Sequence, residues 1–205
     1  MDWIPPNSGF GFLPPEQAVE EKSMPEGRRL LRKKIKREFK RAGNLKAVAE
    51  ILDYLPDPGS SIHVIGNGRY DFFDWVPHLT GLIGEPCQGY FSTWTMNRDN
   101  VLELLDLYDK GRLSSITMMT GIYFKRRESS NYATLLEGIQ ARGQRYMAFW
   151  NHTKIILLEG GGYSLAVEGS ANMTSNPRLE QYCISNDRAL FEFHREWIEA
   201  MPWRG

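Results

Sequence analysis

The chain has 205 residues, 41% of them apolar, which suffices for one buried core, and its 25 basic residues cancel its 25 acidic ones. No apolar run approaches the ~20 residues of a membrane span, and the N-terminus lacks the basic-then-apolar layout of a secretory signal. Two cysteines, Cys87 and Cys183, in a chain large enough to hold together without bridges point to a reduced, cytoplasmic protein.

Residues 1–27 hold Pro5, Pro6, Pro14, Pro15 and Pro25, which sustain neither a helix nor a central strand, so the sequence predicts an irregular arm. Trp3, Ile4, Phe10, Phe12 and Leu13 are out of place in a free linker and suit a docking segment for a protein partner. From Pro25 the pattern turns helical, with Leu31, Ile35, Phe39 and Ala42 forming one apolar stripe. Around it stand Arg28, Arg29, Arg32, Lys33, Lys34, Lys36, Arg37, Lys40 and Arg41 against the single acid Glu38. Cations this dense repel one another unless something negative lies nearby, and a phosphate backbone is the first candidate, an anionic membrane surface the second. The remainder of the chain after Arg41 is mildly acidic. The division expected is 1–43 as arm plus basic helix and 44–205 as the main domain.

Gly43-Asn44 reads as a helix stop and fresh start, followed by an amphipathic helix through Leu45, Val48, Ile51, Leu52 and Leu55 up to Pro56. A turn at Asp57-Pro58-Gly59 leads to a strand, Ser61 to Ile65, and then to Gly66-Asn67-Gly68, a loop suited to close approach of a ligand or another backbone. Further expectations are helices over 70–83, 97–110 and 131–142 and strands over 89–96 and 115–124. The last of these strands runs into the cations Lys125, Arg126 and Arg127, which would face a crevice beyond the strand ends. Near the C-terminus a strand around Tyr182 and Ile184 precedes a helix capped by Asp187 and carrying Leu190, Phe193, Trp197 and Ile198. Strand and helix alternate, which predicts a layered α/β domain with a mixed sheet covered by helices.

The chemistry concentrates in Phe149 to Glu180. His152 and Lys154 stand two residues apart at the head of the apolar run Ile155 to Leu158, and on a strand they would share a face. Glu159 and the turn Gly160-Gly161-Gly162 follow, and a second apolar run from Tyr163 to Val167 returns as a hairpin to Gly169-Ser170-Ala171-Asn172. An imidazole can attack phosphorus while a lysine, a hydroxyl and an amide hold the oxygens whose charge grows in the transition state. That chemistry requires no metal and no cofactor.

H-x-K, four residues, an acid, then G-S-x-N with a further acid at Glu180 resembles the signature of the phospholipase D superfamily. Two departures are Glu159 where that family carries Asp, and a longer gap from Glu159 to Gly169. The resemblance implies a phospholipase D-like layered fold and a metal-independent phosphodiesterase, most simply an endonuclease, working through a phosphohistidine. In that reading His152 is the nucleophile, and Lys154 and Asn172 bind phosphoryl oxygens. Ser170 adds a hydrogen bond, Glu180 orients the imidazole, and Glu159 plays a supporting part. The partner implied is nucleic acid, DNA ahead of RNA. A single H-x-K further implies a homodimer sharing one site. The alternatives are a nucleic-acid-binding module of the same fold without turnover and, behind it, a phospholipid-cleaving phosphodiesterase.

Overall fold

The computed structural model describes residues 43–175 and 177–203. Contacts divide the chain into Met1–Glu38 and Phe39–Gly205, and the second unit is the one described here. The Pro-rich arm and the basic helix with its nine cations lie outside the described residues.

Seven strands form one mixed sheet in the order β1-β7-β6-β5-β2-β3-β4. They are β1 (Ser60–Gly66), β2 (Cys87–Thr93), β3 (Leu113–Gly121), β4 (Arg145–Phe149), β5 (Ile155–Gly160), β6 (Tyr163–Gly169) and β7 (Glu180–Asn186). β2, β3 and β4 run parallel, while β1, β7, β6, β5 and β2 pair antiparallel in succession. Besides a short helix over 43–49, the helices among the described residues are α1 (Trp75–Ile83), reached through a 3-10 turn at Phe72–Asp74, then α2 (Arg98–Asp109), α3 (Ile122–Arg127), α4 (Ser129–Gln140) and α5 (Arg188–Glu199).

Both faces of the central strands are covered, which is why Ile155-Ile156-Leu157-Leu158 runs without a polar residue. Ile156 and Leu158 join the larger core with Phe91, Val167, Trp75 and Leu104, whereas Ile155 and Leu157 pack with Phe191 and Ile198 of α5. The hairpin expected between β5 and β6 is present, turning on Gly161 and Gly162 at φ +55° and +82°, backbone angles open to glycine at little cost. Asp187 caps α5 as expected, its carboxylate accepting from the Ala189 and Leu190 amides.

Several expectations are corrected. Gly43 and Asn44 are themselves helical, and that helix closes at residue 49 rather than at Leu55. The carbonyl of Leu52 is taken by the His78 ring at 2.6 Å, and Pro56 disfavours a helical residue before it. The strand expected over 115–124 ends at Gly121, and Ile122 to Arg127 coil into α3, burying Phe124 against Tyr132. The 89–96 strand stops at Thr93. The inner face of α5 is Phe191, His194 and Ile198, spaced three and four apart, and Phe193 points outward at 63% exposure. β4 had no counterpart among the expected strands.

Candidate active site

The strand directions decide where the chemistry gathers. The C-terminal ends of β2, β3, β4, β6 and β1 and the N-terminal ends of β5 and β7 share one edge of the sheet. His152 and Lys154 lie just before β5, Ser170 and Asn172 just after β6, and Glu180 opens β7. Four of the five expected catalytic residues therefore come from loops that flank neighbouring strands, and the fifth from the start of a strand.

His152 and Lys154 are not on the strand, which corrects the expectation of two side chains sharing a strand face. They belong to a turn built by Asn151, whose side-chain oxygen accepts from the Thr153 amide at 2.9 Å. The same side chain donates to the Ser92 hydroxyl at 2.8 Å and the Thr93 carbonyl at 3.2 Å, and Ser92 meets the Thr153 hydroxyl at 2.6 Å. β2 thus fixes the turn, and His152 is left exposed on its crest. The Lys154 ammonium bends back to the His152 backbone carbonyl and stands 3.1 Å from His152 Nδ1. An ammonium is a donor only, so a neutral ring held this way keeps its lone pair at Nδ1 and its proton on Nε2.

Burial pushes the Lys154 pKa down, and the nearby Glu180 carboxylate pushes it back up. Glu180 also accepts a short hydrogen bond from the Ser170 hydroxyl, which in turn accepts from the Gln181 amide at 3.1 Å. The Asn172 side-chain oxygen is buried with no hydrogen-bond partner among the described residues. Its segment is clamped from below: the Met173 amide donates to the Thr93 hydroxyl at 3.2 Å, and the Met173 carbonyl accepts from Asn97 N–H at 3.0 Å and Asn100 Nδ2 at 3.1 Å.

No family model matches the chain, and no curated protein matches it. Among solved structures, the chain is similar to NucT from Helicobacter pylori at 10% identity and TM-score 0.49, over 69% of this chain and 96% of that one. It is also similar to a polyphosphate kinase from Porphyromonas gingivalis at 17% identity and TM-score 0.47, over 76% of this chain and 24% of the kinase. A third likeness is to TrmBL2, an archaeal chromatin protein, at 8% identity and TM-score 0.44, over 84% of this chain and 64% of that one. At these values the weight of any functional reading stays on the residues themselves.

Not every expected site residue reaches this edge of the sheet. Glu159 is at the far end of β5, ion-paired with Arg188 at the opposite edge of the sheet. Lys125, Arg126 and Arg127 follow the end of β3, which lies on the same edge as the start of β5 although β3 runs antiparallel to β5, with β2 between them. Arg127 stands 5.9 Å from the ring centre of Trp94, and Trp94 lies 5.7 Å from the His152 ring. Lys125 turns away onto Tyr132, 5.5 Å from its ring centre.

Trp94, Asn151 and Asn100 had escaped the sequence reading. One signal for the first was Gly121: a side chain there would meet Trp94 at 2.4 Å and the Trp94 carbonyl at 2.8 Å, so only glycine lets the Trp94 loop close over the end of β3. The Gly66-Asn67-Gly68 loop does make the close approach expected of it, with Gly68 at φ +82° against the backbone of Pro177.

Proposed function

We propose that this protein is a metal-independent phosphodiesterase that cleaves nucleic acid through a phosphohistidine, with DNA favoured over RNA. The observation that carries the reading is the meeting of His152, Lys154 and the Ser170–Glu180 pair at one sheet edge. A lone structural histidine would not call for a half-buried lysine on its ring nitrogen.

When a phosphodiester arrives, Lys154 exchanges its hold on His152 for a phosphoryl oxygen, which frees the imidazole lone pair. The ring nitrogen forms a bond to phosphorus, the bond to the departing oxygen breaks, and that oxygen takes up a proton. Water then displaces the histidine from phosphorus. Lys154 and the Asn172 amide hold the oxygens on which charge grows, and Glu180 holds Ser170 in place while favouring the charged form of Lys154. In this reading Glu180 orients the imidazole once Lys154 has moved. The proton for the leaving oxygen comes from His152 of a second copy, so the active unit is a homodimer, with the cations of 28–41 and Arg126 and Arg127 along the nucleic-acid path.

The test is cleavage of plasmid DNA and RNA in the presence of a chelator. Wild-type protein is expected to cut, and His152→Ala to lose at least about 10⁴-fold in rate with its fold intact. Retained binding with no cleavage by wild type would make the protein a binding module instead, and an active His152→Ala would remove the phosphohistidine.

A further inference from the structure

Three aromatic side chains lead outward from His152. Trp94 lies 5.7 Å from the histidine ring, Tyr123 lies 6.4 Å from Trp94, and Trp150 lies 5.7 Å from Tyr123, centre to centre. Arg127 covers the middle of this row, 5.9 Å from the centres of both Trp94 and Tyr123. Exposure rises along it, to 37% at Tyr123 and 66% at Trp150.

The row is rigidly mounted. Gly121 lets Trp94 seat against the end of β3, and Thr95 is tied to Glu128 at 2.7 Å, which also accepts from Asn131 at 2.9 Å. Trp150 follows directly on β4, and the next residue is the Asn151 that fixes the catalytic turn. A tryptophan two-thirds exposed adds little to the core, so its burial does not account for its presence. What the row offers is an edge-to-face run of aromatic surface beside the Arg127 guanidinium, leading to His152. Bases stack on such faces in any sequence, while the guanidinium and ammonium groups follow the backbone. In a duplex those base faces are covered by their neighbours, and reaching them requires unstacking.

We propose that the Trp94–Tyr123–Trp150 row holds unpaired bases, so that the preferred substrate is single-stranded nucleic acid or the unpaired part of a duplex. This rests on the nucleic-acid phosphodiesterase reading and narrows it. The row is connected to His152 ring by ring, so bases stacked there place their own backbone at the attacking nitrogen.

The experiment uses the full chain carrying His152→Ala, which leaves the probe uncut. A labelled oligothymidine of about 20 nucleotides and a blunt duplex of similar length are titrated and followed by anisotropy, with tryptophan emission and light-scattering mass recorded alongside. Tighter binding of the single strand is expected, together with quenched emission. Adding Trp150→Ala is expected to weaken single-strand binding roughly tenfold and duplex binding far less, and Trp150→Phe to recover most of the loss. Equal losses on the two probes, or none, would overturn the proposal while leaving the phosphodiesterase reading standing. A fall in mass with Trp150→Ala and unchanged oligothymidine binding would overturn it too, by making the row a contact between copies of this chain. If the parent protein bound neither probe, the broader reading would fall with it.

Discussion

Asn100 on α2 offers a perturbation whose size can be worked from its contacts. Its amide nitrogen lies 3.1 and 3.0 Å from the two oxygens of the buried Asp71 carboxylate and 3.1 Å from the Met173 carbonyl. Two protons serve these three contacts, so one bond goes to a carboxylate and one to a backbone carbonyl. A hydrogen bond to a charged group contributes about 1.5–3 kcal/mol and a neutral one about 0.5–1.5 kcal/mol. Neither acceptor is abandoned on truncation, because Asp71 still accepts from the Phe73 amide at 2.9 Å and Met173 from the Asn97 amide at 3.0 Å. Asn100→Ala should therefore cost about 3 kcal/mol, a fall in Tm of roughly 6–12 °C at this chain length. Urea and thermal unfolding read the stability. A loss under about 1 kcal/mol would refute the network as drawn. The carbonyl that Asn100 holds also seats Asn172, and a displacement of ~1 Å in a catalytic group can cost about 10²-fold in rate. A destabilised variant with unchanged kcat would show that the clamp does not position the site. Asn100→Asp sets a second carboxylate against Asp71; it should be the less stable variant at neutral pH and gain stability relative to wild type as acid neutralises one of the pair.

His78 should give the fold a measurable acid dependence. Burial lowers its pKa below the ordinary 6.5, against the opposing effect of its bond to the Leu52 carbonyl. The unfolded chain therefore takes up the proton first, and stability falls as pH drops from about 6.5 to the lowered value, by no more than about 1.4 kcal/mol per pH unit. His78→Gln should remove that slope in urea titrations between pH 7.5 and 5, and an unchanged slope would clear His78 of the effect. A mixed dimer of wild-type and His152→Ala subunits, isolated with two tags, should be nearly inactive; half of wild-type activity would mean that each subunit works alone. Deleting residues 1–41 should flatten the salt dependence of nucleic-acid binding by about 0.9 in log–log slope for each phosphate that its cations neutralise. An unchanged slope would assign that segment to docking or assembly.

The layered α/β architecture was legible because its central strands are buried on both faces and its hairpin turns on glycines, both of which leave marks in sequence. The edge strand β4 was not. Arg145 to Phe149 is partly exposed along its whole length, so neither alternation nor a continuous apolar run announces it. Ile122-Tyr123-Phe124 reads equally well as strand or helix, and Gly121 decides the matter only through its tight packing against Trp94. The residues singled out by the motif spacing, His152, Lys154, Ser170, Asn172 and Glu180, lie at one edge of the sheet. That spacing misplaced Glu159 because a period of two says which face a strand residue takes, while the length of β5 carries this one to the opposite end. Asn151 and Asn100 were invisible because amides that clamp a turn, half-buried in one case and buried in the other, have no periodicity to betray them.

The pairing of β1 with β7 bears on how the protein is made. The hydroxyls of Ser61 and Ser185 meet at 2.8 Å across 124 residues of chain, and the Gly59 amide bonds the Asn186 carbonyl at 2.7 Å. At a synthesis rate of about 5–20 residues per second, β1 has no native neighbour for roughly 6–25 s after it is translated. Val64 on that strand lies in the main core and Ile62 packs against it, and their cross-strand neighbours there are Tyr182 and Ile184 of β7. A ribosome stalled shortly before Gln181 would thus hold a nascent chain in which β1 has neither of its edges paired, a natural client for a chaperone at the exit tunnel.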